Sequence, residues 1–212
     1  MSAVPSEVPD PYLAPSCSLG NRIARVAWFF AHLLLVRFSP RPCHAWRAWV
    51  YRRFGATVGA GCRIYPGASV WAPWNLVCDE VVLIANGAVI YNPAPIRLAS
   101  HSVISQDAYL CGATHDIDDP AFPMVSAPIT VGRYAWICAR AVVCAGVEVG
   151  EGAVLGLGGV ATKHLSPWTV YGGVPARALR QRKQGRTMVK RELPQSPMSS
   201  ESAAAGVAGS RR

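Results

Sequence analysis

From Val58 onward an aliphatic residue or an alanine returns at every sixth position, with polar and small residues between. Val131-GRYAW, Ile137-CARAV, Val143-CAGVE, Val149-GEGAV, Leu155-GLGGV and Ala161-TKHLS form six hexads in unbroken register, and small residues recur four positions after the aliphatics. Upstream, Val58-GAGCR, Ile64-YPGAS, Val70-WAPWN and Leu76 keep the same step. Ile84-ANGAV, Ile90, Leu98-ASHSV, Ile104-SQDAY and Leu110-CGATH resume it after two-residue slips, which mark corner insertions. A period of six is neither the 3.6 of a helix nor the 2 of an isolated strand. A triangular coil meets it: each hexad supplies one short strand and one corner, the aliphatic points inward, and three hexads close a turn. The predicted fold is all-β, a left-handed parallel β-helix in which Val131 stacks under Val149, Ile137 under Leu155 and Val143 under Ala161, burying a continuous core as repeat arrays do.

Before Val58 the pattern is helical. RIARVAWFFAHLLLVRFSP holds an apolar stretch from Val26 to Val36, shorter than the roughly 20 residues a spanning helix needs. It predicts a helix that is buried or lies on a membrane surface. Beyond the break at Ser39-Pro40-Arg41-Pro42, CHAWRAWVYRRFG predicts a second helix with Trp46, Trp49, Val50 and Phe54 on one face and Gly55 as its stop, packed over the end of the main domain. The expected organisation is a flexible tail over 1–20, a helical region over 21–55, the β-helix over 56–182 and a second flexible tail over 183–212. Both tails lack the apolar content that offsets ordering entropy.

Composition agrees with one domain: 212 residues, 51% hydrophobic and 16% charged, with 19 Gly and 17 Pro that suit many short strands and tight corners. The net charge of +9 is uneven. No Asp or Glu occurs from Pro11 to Cys78, where Arg22, Arg25, Arg37, Arg41, Arg47, Arg52, Arg53 and Arg63 all fall, so this half favours anionic neighbours. Seven Cys without a CxxC pair, behind an N-terminus with no signal-peptide pattern, point to a reducing cytoplasmic compartment, with membrane association through residues 21–55 as a further expectation. No nucleic-acid partner is expected.

Leu110-CGATH is followed by Asp116-IDDPAFPMVSAP before the register restarts near Val131, so a loop of about a dozen residues leaves the coil with His115 at its root. A neutral imidazole there can accept a proton from a hydroxyl near physiological pH.

The segments FSPRPCHAWRAWVYRRFGATVG, VISQDAYLCGATHDIDDPAFP and PWTVYGGVPARALR resemble the hexapeptide-repeat acyltransferases, and more narrowly the colanic-acid-type polysaccharide O-acetyltransferases, from about Arg22 to Arg182. The resemblance implies direct acetyl transfer from acetyl-coenzyme A to a hydroxyl of a sugar, a polysaccharide intermediate or a lipid-linked oligosaccharide, in a homotrimer with sites between subunits. It makes His115 the general base. Asp116 either orients the imidazole, binds substrate or simply forms a turn. Asn86 and Asn92 fall where sugar-acetylating relatives bind the acceptor, although some carry a carboxylate at the position of Asn92. The backbone N–H of Ala139 becomes the candidate oxyanion donor. The coenzyme would run past Gly156, Gly158 and Thr162, its phosphates meeting Lys163, Arg177 and Arg180, with no metal required.

Three other readings compete. A γ-type carbonic anhydrase would need three converging imidazoles, and the spacings of His101, His115 and His164 do not fit multiples of a coil. Cys111 could act as a nucleophile, although a cysteine on a coil is commonly a small buried hydrophobe. The non-enzymatic reading is a β-helix scaffold docked on membrane by its acid-free half.

Overall fold

A computed structural model describes residues 18–183; the expectations for the two tails therefore lie largely outside the described residues. The body is a β-helix of about six stacked coils with three faces. The first face carries Thr57–Val58, Leu76–Cys78, Ile96–Leu98, Ile129–Val131 and Glu148–Val149. The second starts at Arg63–Ile64 and runs through Trp136–Ile137 to Thr169–Gly172, where Arg177–Gln181 adds an antiparallel edge. The third carries Ser69–Val70, Val89–Tyr91, Tyr109–Cys111, Val142–Val143 and Val160–Ala161.

The stacking follows the predicted register: Val131 pairs with Val149, Ile137 with Leu155 and Val143 with Ala161, each eighteen residues apart. Below them the step is twenty, as in Val58 with Cys78 and Ile84 with Ile104. The first slip precedes Cys78: a short 3-10 turn, Pro73–Asn75, takes up the extra residues, so both Leu76 and Cys78 point inward. Between Leu98 and Val131 the step is 33, which is where the loop leaves. Inward positions such as Ile64, Ile84, Ile104, Leu110, Ile137 and Val143 have no solvent exposure, and each large aliphatic so buried is worth about 1.5–3 kcal/mol.

Helix α1 spans Leu19–Ala31, two residues earlier than expected, with the Ser18 hydroxyl accepting from the Asn21 N–H as its cap. It continues as a π-helical turn, His32–Arg37. The combined 19 residues are long and apolar enough to cross a membrane by length and composition, which corrects the shorter estimate taken from the unbroken apolar run. Helix α2 spans His44–Arg53 and covers the open end of the first coil with Ala48, Val50 and Tyr51.

These helices cap edge strands that would otherwise present unpaired carbonyls. The Arg52 Nε–H donates to Val58 O at 2.8 Å, the Arg47 Nε–H to Ile64 O at 2.6 Å, and the Trp28 Nε1–H to Val70 O at 2.8 Å, one donor for each face. His32 adds an Nε2–H to Ala68 O at 3.0 Å. Arg47 has no exposure and also donates to the Pro40 and Arg41 carbonyls and the Ser39 hydroxyl. The inward face of α2 is thus built around a buried arginine. Trp46 and Trp49, expected on that face, instead stack on each other in solvent with centroids 5.1 Å apart.

Candidate active site

The loop leaves at the corner between the third and first faces. There Gly112 passes so close to the chain below that a Cβ would lie 2.7 Å from Tyr91 O, an approach only glycine permits. The Gly112 carbonyl accepts from the Ala127 N–H at 3.1 Å. This closes the neck of an antiparallel hairpin made by Ala113–His115 and Met124–Ser126, in which His115 opposes Met124.

His115 is exposed at the end of the outgoing strand. Its Nδ1 lies 2.9 Å from Phe122 O, and its ring stacks on the Phe122 ring with centroids 4.4 Å apart and planes 7° apart. A carbonyl oxygen only accepts, so Nδ1 carries the proton and Nε2 presents a lone pair. Phe122 sits in the left-handed region with φ of 46°, at a cost of about 1 kcal/mol for an L-residue, in the conformation that aims its carbonyl at the imidazole. The orienting role open to Asp116 falls to Phe122 instead. Asp116 forms a turn: its Oδ1 accepts from the Asp118 N–H at 3.1 Å, and its own N–H donates to Pro123 O at 3.0 Å.

Asn92, expected at the acceptor, is held inside the coil. It has no exposure; its Oδ1 accepts from the Ala72 N–H at 2.9 Å and its Nδ2 donates to Ala72 O at 2.7 Å. A carboxamide matches both halves of a peptide group, whereas a carboxylate offers no donor to Ala72 O. Asn86, half-buried on the corner between the second and third faces, accepts from the Gly67 N–H at 2.9 Å and so braces that corner.

Within the chain the remaining candidates fall on separate corners. Thr162 and Lys163, both exposed, follow Ala161 on the corner from which the His115 hairpin leaves, two coils beyond it. Ala139, Gly156 and Gly158 lie with Asn86 on the corner between the second and third faces. Gly158 has φ of 63° and nothing within 4 Å of where a Cβ would stand. Arg177 and Arg180 are exposed on the final antiparallel strand.

Of the three histidines weighed as metal ligands, His101 packs against Tyr134 with ring centroids 5.0 Å apart, and His164 Nδ1 accepts from the Glu148 N–H at 2.9 Å. Among the described residues no three His, Cys, Asp or Glu side chains gather as a metal site. Cys111 is half-buried and its thiol donates to Ala113 O at 3.2 Å. Burial, and secondarily Cys111 itself, pushes the neighbouring Cys144 thiol above its ordinary value. Phe122 is the residue the sequence alone does not expose, because its contribution is a carbonyl and a ring face in a turn that no periodicity describes.

A coil of this form with a hairpin that carries a hydrogen-bonded imidazole defines a class, and comparison with known proteins agrees. The colanic acid biosynthesis acetyltransferase WcaF of Escherichia coli K12 is 32% identical over 163 residues, covering 77% of this chain and 90% of that protein. The galactoside O-acetyltransferase of the same organism is 31% identical over 123 residues, 57% of this chain and 55% of that one. A hexapeptide-repeat acetyltransferase of Vibrio cholerae, solved with acetyl-coenzyme A, superimposes with a TM-score of 0.73 at 23% identity over 80% of this chain and 93% of its own. A maltose O-acetyltransferase of Clostridium difficile gives a TM-score of 0.72 at 19% identity, over 79% and 90%. No family model matches the chain. The chain belongs to the hexapeptide-repeat acetyltransferase family, beside the colanic acid biosynthesis acetyltransferases. It is an enzyme of the acyltransferase class.

Proposed function

We propose that the protein transfers an acetyl group from acetyl-coenzyme A to a sugar hydroxyl of a polysaccharide intermediate, with His115 as general base and no acyl-enzyme. The observation that carries this reading is the Nδ1–H bond from His115 to Phe122 O, which leaves Nε2 as a fixed acceptor on an exposed edge. Nε2 takes the proton of the hydroxyl as its oxygen attacks the thioester carbonyl carbon. The tetrahedral oxyanion collapses, the C–S bond breaks, and the departing coenzyme sulfur takes the proton back from the imidazolium. Asp116 stays a turn former that shapes the hairpin.

The oxyanion donor in this reading is the Ala139 N–H, and the coenzyme arm follows Gly156, Gly158 and Thr162 to Lys163, Arg177 and Arg180. Because Ala139 and His115 occupy different corners of a protomer, a homotrimer is required in which one subunit's hairpin faces the next subunit's opposite corner. Open space at Gly158 supports passage of an extended chain there.

The test is acyl transfer with acetyl-coenzyme A against sugars, nucleotide sugars and lipid-linked oligosaccharides, with the His115→Ala variant in parallel. Acceptor-dependent thiol release that disappears in the variant, with a trimeric mass for both proteins, is the expected result. Equal release by the two proteins, or a monomeric active enzyme, would sink it.

A further inference from the structure

The part of the chain that the proposed chemistry leaves unused is α1. Its inward stripe, Trp28 and Val36, is buried on the first coil. Its outward stripe, Ile23, Val26, Phe30 and Leu34, is 55–69% exposed along most of the helix, and Phe38 just past its end is 77% exposed. Their spacing of three to four residues keeps them on one side, and 19 helical residues make a ridge about 28 Å long. The stacked pair Trp46 and Trp49 stands exposed on α2, with the Trp46 Nε1–H donating to Leu35 O at 2.8 Å. An exposed apolar surface of this extent marks an interaction site.

Two features choose the occupant. The helix cannot leave to cross a bilayer without breaking the bonds of Trp28 and His32 to the first coil, so it offers a side and not an axis. Charge decides the rest: no Asp or Glu occurs from Pro11 to Cys78, and Arg22 and Arg37 are exposed on the same helix as the ridge. Between α1 and the first coil, a cavity of about 640 Å³ is lined by Arg22, Arg25, Val26, Phe30 and Trp71. Arg25 is laid over the Trp71 ring at 4.1 Å. Guanidinium groups beside apolar walls match a phosphate carried on acyl chains. A second copy of this chain meeting the same surface across a two-fold would bring arginine to arginine.

We infer that α1 and the Trp46–Trp49 pair dock the enzyme side-on to an anionic bilayer, with the Arg22–Arg25 cavity receiving a lipid phosphate. The dock lies on the side of the catalytic hairpin. Trp71, Tyr91 and Cys111 follow one another up the corner where that hairpin leaves: Trp71 and Tyr91 have ring centroids 5.5 Å apart, and the Tyr91 hydroxyl reaches the Met124 sulfur at 3.8 Å. With adjacent strands about 4.8 Å apart, the root of the hairpin lies two coils, about 10 Å, above Trp71.

The experiment is co-sedimentation of the full chain with vesicles of phosphatidylcholine alone or mixed with phosphatidylglycerol, at low and high salt. Binding is expected to the anionic vesicles only and to fall with salt. Changing Arg22 and Arg25 to Gln should weaken it about 30-fold, at about 1 kcal/mol per arginine. Changing Phe30 and Leu34 to Asp should abolish it, while both variants keep their transfer to a water-soluble acceptor. His115→Ala should bind vesicles like the wild type, which separates this inference from the proposed chemistry. Wild-type protein that stays in the supernatant with anionic vesicles overturns it. So does a loss of trimer mass in the Phe30/Leu34 variant, which would make the ridge a subunit interface.

Discussion

The coil body and the His115 hairpin are built by opposite rules. In the body, inward aliphatics are buried and each strand between the two ends of a face is paired above and below. The hairpin is exposed over most of 114–126, pairs only within itself, and holds an aromatic residue at positive φ. The difference teaches where chemistry can sit: a repeat that stacks identical hexads has no room for a singular side chain, so the singular one is carried outside the repeat. A change in the hairpin should therefore cost turnover and leave folding alone, and a change in the body should do the reverse. His115→Ala gives the largest separation, a loss of kcat by about 100- to 10,000-fold with a thermal midpoint unchanged by circular dichroism. A comparable drop in midpoint would collapse the distinction.

The converse variant is Ile104→Ala. Ile104 has no exposure and stands between Ile84 and Ile137 in the second face. Truncation leaves a cavity and should lower unfolding free energy by about 2–5 kcal/mol, read by urea titration, with kcat intact where the protein stays folded. Asn92→Ala tests the same side of the comparison with a polar group. It strands the N–H of Ala72, whose carbonyl keeps the Asn75 N–H at 3.0 Å, and should cost about 1–3 kcal/mol of stability. A large rise in KM for acceptor without loss of stability would return Asn92 to the substrate site.

These two rules also separate what the sequence discloses from what it does not. Period alone gives the coil, down to the partners of Val131, Ile137 and Val143, because inward burial repeats and leaves a mark every six residues. His115 is legible as the root of a loop that interrupts the period. Its tautomer is not, because Phe122 acts through a backbone carbonyl that any residue type possesses. Arg47 and Arg52 read as surface charge, yet they cap the carbonyls of edge strands, a need that exists only once the coil has an end. Trp46 and Trp49 read as core for the same reason: helical spacing says which residues share a side, not which side faces inward.

Within the hairpin a smaller effect divides the two contributions of Phe122. Phe122→Ala removes the ring that stacks on His115 but keeps the carbonyl that holds Nδ1. A stacked aromatic pair is worth about 0.5–1.5 kcal/mol, so kcat should fall by at most about tenfold, with the shape of the pH profile preserved. A loss as large as that of His115→Ala would mean that the ring, not the carbonyl, fixes the imidazole.

The smallest effect belongs to the junction between body and helices. Burial pushes His32 below its ordinary value of 6.5; the hydrogen bond to Ala68 O opposes this, and the charge of Arg37 adds to it. The folded state therefore prefers neutral His32, and between the folded and unfolded values the unfolded chain binds more protons. Its contribution is present in full above about pH 6.5 and is lost as pH falls through the folded value. The difference in thermal midpoint between wild type and His32→Gln, followed from about pH 7.5 to about pH 5, should turn against the wild type on acidification. A difference that stays constant across that range would show that α1 releases His32 to solvent without loss of stability, and the edge cap on the third face would then rest on Trp28 alone.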